Sequence, residues 1–249
     1  MNDLGVSDLY EAAARASINE RCASAYLHDV RGSLQALFGA LELLGRSARA
    51  GGGDLARVEK ACDLARRAIS RHEKSTLDVL QVLTSRQSMA AAIDVGALIR
   101  DVAHFLRNEA GMKAVRITVE SPRELNVWAD RAKLRTLLVG LLTAAIDETE
   151  ADGEVPINID RVGNDVAVSI GSNAGYEDIP AAPDWSRRPN VRFQPKELTL
   201  LFAREFLAAN GGRLTVDHGA RPQGSLTIYY PAYGSGKSFA ALRESETEK

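Results

Sequence analysis

The segment Tyr26-Leu27-His28-Asp29-Val30-Arg31-Gly32-Ser33-Leu34 sets an imidazole, a carboxylate and a guanidinium almost side by side. An imidazole is a competent nucleophile and phosphoryl carrier near neutral pH. A neighbouring carboxylate, here Asp29, can hold or accept the ring proton, and a guanidinium, here Arg31, can balance phosphoryl charge. Leu27, Val30 and Leu34 mark an apolar edge at helical spacing, which predicts His28 at its border with solvent and Asp29 and Arg31 on the outward side. Spacing alone leaves two readings open: an imidazole that a partner can reach, or an ordinary surface histidine. Gln35, Phe38 and Glu42 follow on the same helix as a candidate docking face. Phe38 lies off the apolar seam and would bury better under a partner than under water.

A long helix must carry this segment. Ala23, Leu27, Val30, Leu34, Leu37, Leu41 and Leu44 repeat at alternating steps of four and three, a heptad seam. Gly51-Gly52-Gly53 interrupts it, and Asp54 is an N-cap candidate for the next helix. There Leu55, Val58, Cys62, Ala65, Ile69, His72, Thr76, Val79 and Leu83 repeat at threes and fours. Two long helices joined by a short loop form an antiparallel hairpin. One hairpin buries its seam poorly, so a second copy is expected to complete a dimeric four-helix bundle by two-fold symmetry.

After Ser88 the texture changes. Helices are predicted over 95–107, 131–149 and 197–210, and strands over 116–120, 155–160, 166–170, 213–217 and 225–230, with Gly163-Asn164-Asp165 as a hairpin turn. Residues 171–195, with Gly, Asn and Pro and little periodicity, read as a long loop. The expected fold class is α+β: a helical hairpin over 1–90, an α/β sandwich with helices on one face over 91–232, and a mobile tail over 233–249.

Composition narrows the function classes. The chain has 249 residues, 45% hydrophobic and 26% charged, enough to bury a core. With 31 Lys plus Arg against 33 Asp plus Glu, the net charge is −2, which removes the bulk electrostatic case for nucleic acid. Apolar stretches such as 137–146 fall far short of the ~20 residues of a bilayer span, and the N-terminus has no secretory pattern. Cys22 and Cys62 read as reduced thiols. A soluble cytoplasmic protein is expected. His104 and His218 have no metal-ligand companion at zinc-like spacing, and His72 falls on a seam. Gly234-Ser235-Gly236-Lys237-Ser238 lacks the first glycine of a phosphate loop and lies in the tail. Trp128 reads as core, and Trp185 as an aromatic anchor in the loop.

His28-Asp29-Val30-Arg31 followed by Leu34 resembles the H-box of two-component sensor histidine kinases, and the hairpin resembles their dimerisation and histidine-phosphotransfer domain. Asp130 to Arg135 running on through Leu141-Leu142-Thr143-Ala144-Ala145-Ile146 is similar to their N-box helix. The segment from Arg204 through Asn210-Gly211-Gly212 to Val216 is similar to the step after their lid, and Gly224-Ser225-Leu226-Thr227-Ile228 to their closing strand. The likeness covers about residues 20–232 in one order. It implies that the α/β sandwich is of the kinase ATP-binding (Bergerat) type.

The nucleotide boxes depart from that pattern. Gly140 and Ala144 stand where the family has asparagines, one of them a Mg²⁺ helper, and alanine offers a metal no oxygen. Ser172-Asn173-Ala174-Gly175-Tyr176 lacks the adenine-binding Asp and both aligned glycines, and Glu197-Leu198-Thr199-Leu200 replaces the glycine lid. Gly32 stands where many such kinases have the Thr or Asn that orients water for dephosphorylation, and Ser33 replaces the usual proline. The resemblance therefore implies a dedicated dimeric histidine phosphotransferase. His28 is the expected carrier, Asp29 and Arg31 its helpers, and response regulator receiver domains its partners, with an upstream hybrid kinase as a further candidate. No cofactor of its own is expected, since the receiver would supply Mg²⁺. A non-catalytic adaptor and a divergent ATP-dependent kinase are the alternatives.

Overall fold

The computed structural model describes residues 6–49, 55–84, 89–121, 123–172, 194–217 and 224–234. The loop around Trp185, the turn at His218 and the phosphate-loop-like tail motif lie outside them, apart from Gly234. The chain forms two compact units. Residues 19–85 make one, and residues 1–18 together with 86–249 make the other. The start of the first helix, up to Ile18, thus groups with the α/β unit.

The hairpin unit consists of α1 (Val6–Arg49) from Asn19 onward and α2 (Leu55–Thr84). Its internal seam is not the leucine heptad. The buried positions of α1 are Cys22, Ser33, Ala40 and Ser47, and those of α2 are Ala61, Ala68 and Val79. Most of these are small side chains, and Ser33, Ala40 and Ser47 recur at intervals of seven. The leucine column turns away from that seam: Leu27, Leu34 and Leu41 are 67%, 48% and 62% exposed, as is much of Leu55 and Ile69 on α2.

In the α/β unit a five-stranded sheet has the order β2 (Arg116–Glu120), β4 (Glu154–Val162), β5 (Asp165–Ser172), β7 (Gly224–Pro231), β6 (Arg213–Asp217). β2 runs parallel to β4 and every other pairing is antiparallel. Alternation gives the sheet two unlike faces. Val155, Ile157, Ile159, Val166, Val168, Ile170, Leu226 and Ile228 are buried, whereas Asn158 and Asp160 on β4 are exposed. On the polar face the Ser169 and Thr227 hydroxyls lie 2.8 Å apart and the Arg213 guanidinium stacks 3.9 Å over the Tyr229 ring.

The helix layer holds α3 (Val95–Phe105), the short α4 (Arg107–Met112), α5 (Arg131–Glu148) and α6 (Pro195–Ala209). α5 is enclosed on all sides, with every residue from Leu134 to Ile146 buried. A two-stranded sheet that the sequence did not reveal, β1 (Ala90–Asp94) against β3 (Asn126–Asp130), sets the starts of α3 and α5. Each strand ends in an aspartate that caps the next helix. Asp94 Oδ1 accepts from Gly96 and Ala97 N–H at 2.9 and 3.2 Å, and Asp130 Oδ1 from Ala132 and Lys133 N–H at 2.8 and 3.0 Å. Trp128, expected in the core, is half-buried and stacks on Tyr233 at 5.6 Å.

Candidate functional site

His28 lies on α1 with its side chain 64% exposed, so the imidazole is open to a partner. Its Nδ1 faces Asp29 Oδ1 at 3.9 Å, close enough for attraction and too far for a hydrogen bond. Asp29 departs from the expected outward placement. It is only 19% exposed and turns toward α2, where the Ser75 hydroxyl donates to its Oδ2 at 3.2 Å. The reason is the small-residue seam, which rotates the inner face of α1 away from the leucines. Arg31 is exposed as expected.

A second set of contacts fixes the hairpin beside this pair. The Tyr26 and Thr76 hydroxyls lie 3.2 Å apart, Thr76 Oγ1 donates to the His72 carbonyl at 2.8 Å, and the Tyr26 and His72 rings stack at 6.2 Å. His72 is half-buried, and its Nδ1 finds no hydrogen-bond partner among the described residues. Sequence reasoning missed Ser75 and the Tyr26–Thr76 pairing. The signal was present as small residues at intervals of seven on both helices, Ala61, Ala68 and Ser75 on one and Ser33, Ala40 and Ser47 on the other. Gln35, Phe38 and Glu42 are all exposed, with Phe38 69% open and Glu42 bound by Arg46 at 2.6 Å.

In the α/β unit Gly140 and Ala144 of α5 are packed, whereas residues 173–176 lie outside the described residues. A Cβ on Gly140 would come within 2.7 Å of Thr199 Cγ2 on α6 and 3.1 Å of Ile18 Cδ1 on α1. Tyr10, Ala14 and Ile18 form one buried stripe on the first turns of α1, and the Glu11 carboxylate binds Lys133 of α5 at 2.8 Å. Ala144 is also buried. Glu197 turns back onto its own helix, where its carboxylate accepts from Gln194 N–H at 2.8 Å. It is a capping group at the start of α6. Among the described residues no group of three or more His, Cys, Asp or Glu side chains could hold a metal ion. No described helix is long and apolar enough to cross a membrane.

No family model matches the chain. It is similar to the adaptive-response sensory kinase SasA of Nostoc sp., 26% identical over 239 residues, covering 87% of this chain and 58% of that protein. The chain thus spans little more than half the length of that curated relative. Among solved structures it is similar to the histidine kinase AdeS of Acinetobacter baumannii, with 15% identity, 83% and 98% of the two chains covered and a TM-score of 0.47. A bacterial phosphotransferase gives 15% identity, 85% and 95% coverage and a TM-score of 0.47.

Proposed function

We take as premise that the chain is a two-component, histidine-kinase-like protein, and we propose that it works as a histidine phosphotransferase in a phosphorelay. His28 accepts phosphoryl from an aspartyl phosphate on one receiver domain and passes it to an aspartate on another response regulator. The observation that carries this reading is the exposed imidazole beside a carboxylate held in place by the other helix.

With Nδ1 protonated and turned toward Asp29, the Nε2 lone pair is left to attack phosphorus. The N–P bond forms as the P–O bond of the acyl phosphate breaks, and the electron pair leaves with the receiver carboxylate. The imidazolium so formed keeps its Nδ1 proton, and Asp29 balances its charge. The exposed Arg31, three residues on in the same helix, is the proposed counter-charge for the incoming phosphoryl oxygens. The second transfer reverses the order, with a receiver carboxylate attacking and neutral His28 leaving. The receiver brings the Mg²⁺, so positioning and an open face are all this chain must provide.

Loss of ATP binding belongs to the same proposal, and the packing of Thr199 and Ile18 against Gly140 supports it. A homodimer is proposed as well: the exposed Leu27, Leu34 and Leu41 column is a self-complementary apolar stripe of the kind a second hairpin would cover. The test is phosphoryl labelling of the purified chain and of His28→Gln with two donors. Acid-labile label from a phosphorylated receiver, absent from His28→Gln, is the expected result. Label from Mg-ATP alone would establish the kinase alternative. No label from either donor, with His28→Gln retaining biological activity, would establish the adaptor.

A further inference from the structure

A cavity of about 560 Å³ opens in the α/β unit between α3, α4 and the edge strand β2. Its existence follows from an incomplete helix layer. Ile117 and Val119 of β2 pair with Val155 and Ile157 of β4. The β4 partners are fully buried at 0% and 1% exposure, whereas Ile117 and Val119 remain half-exposed and line the cavity. α3 ends at Phe105, Leu106 breaks the helical run, and the chain reverses at Ala114, whose φ is 55°. Ala110, Gly111 and Val115 of this bend line the cavity with small side chains or none.

The rim is cationic. Arg100, His104, Arg107 and Arg116 line the cavity, and no carboxylate does so among the described residues. Arg100 and His104 lie one turn apart on α3, and Arg107 opens α4 just past the break at Leu106. Arg116 is bound by Glu154 at 3.1 Å, and Arg100 has only the long 4.0 Å contact to Asp94, which is already occupied in capping α3. Arg107 makes no ion pair with a described residue. A protein whose overall charge is −2 thus keeps a mouth with no lining carboxylate among the described residues over an apolar floor. Apolar walls with a few convergent charged groups, in this volume range, are the usual composition of a small-molecule site.

We propose that this cavity binds a small amphipathic organic anion, its apolar body against Ile117 and Val119 and its carboxylate, sulfonate or phosphate head at Arg107 and Arg100. The site is independent of the phosphoryl chemistry proposed for His28. A merely cationic surface would favour inorganic phosphate as much as an organic anion, and the apolar floor is what separates them.

The probe is 8-anilinonaphthalene-1-sulfonate, a two-ring apolar body carrying one sulfonate, titrated by fluorescence into the full chain. Two variants are compared with wild type. Arg107→Glu reverses a charge on an exposed side chain, and Ala103→Trp fills the cavity from α3. The expected result is a saturable site, weakened at least tenfold by Arg107→Glu and removed by Ala103→Trp. Decanoate or decyl phosphate should displace the dye, with inorganic phosphate ineffective. A stronger effect of one of these two competitors identifies the head group. If Ala103→Trp fails to fold, Arg107→Glu alone decides. Equal dye binding by wild type and Arg107→Glu would place the dye on the exposed leucines of the hairpin and overturn the proposal. So would displacement by inorganic phosphate as effective as by decanoate.

Discussion

Replacing Gly140 tests whether α5 and α6 are closed against each other as described. A Cβ there would lie 2.7 Å from Thr199 Cγ2, 3.0 Å from Thr199 Oγ1 and 3.1 Å from Ile18 Cδ1. Overpacking of this kind costs about 1–3 kcal/mol. Alanine in a helix interior returns about 1 kcal/mol relative to glycine, so Gly140→Ala should lose about 1 kcal/mol. Gly140→Asn also buries an amide without a partner, which adds about 1–3 kcal/mol. Thr199→Ala removes the two nearest atoms at once. In that background Gly140→Ala should be neutral or stabilising, a coupling of about 1–2 kcal/mol. Urea unfolding of the four proteins of this double-mutant cycle, followed by circular dichroism, measures it. Additivity to within about 0.5 kcal/mol would refute the packing argument, as would Gly140→Asn matching wild-type stability and binding Mg-ATP.

Three further outcomes are expected. Ser33 is 3% exposed and its hydroxyl has no partner among the described residues, so Ser33→Ala should leave Tm unchanged or raise it by roughly 2–4 °C per kcal/mol recovered. Leu34→Glu adds charge to the exposed leucine column. Light scattering should find wild type at twice the chain mass and the variant at one chain mass, with helix content retained. Tyr230 is buried, donates to the Trp128 carbonyl at 3.1 Å and lies near Asp130; burial first and that charge second raise its pKa well above the ordinary tyrosine value. The folded state therefore holds the neutral phenol. Its stability contribution is complete below about pH 10, where the unfolded tyrosine starts to ionise, and is lost as pH rises further. Tyr230→Phe should be less stable at pH 8 by about 1 kcal/mol and should show a flatter decline above pH 10.

Periodicity and turn chemistry made most of the α/β elements legible. The 116–120 and 213–217 strands fall where alternation predicts them, and Gly163, with φ of 62°, makes the hairpin turn between β4 and β5. β1 was not legible because Ala90-Ala91-Ala92-Ile93-Asp94 has no alternation, and it becomes a strand only by pairing with β3. Asp29 was misplaced for a physical reason. The leucine heptad is the more conspicuous pattern, yet the pair of helices within one chain closes on serine and alanine, about a hundred degrees or less around the cylinder. The cavity was not legible, because nothing in the sequence said that the sheet edge beside Arg100, His104 and Arg107 would be left open.

The α/β unit is discontinuous in sequence, and this bears on how it can form. Tyr10, Ala14 and Ile18 leave the ribosome long before Gly140 and Thr199, with the whole hairpin synthesised in between. Until α5 emerges, that apolar stripe has nothing to cover it. Pairings over such sequence separations slow folding and lengthen the exposure of sticky surface. The hairpin, made of neighbouring helices, can form early, while the unit interrupted by it must wait for its last strand. A fragment beginning at residue 91 would keep Thr199 against Gly140 and lose Ile18 from its other side. Tyr10, Ala14 and Ile18 are therefore part of the core of a domain that is otherwise encoded at the other end of the chain.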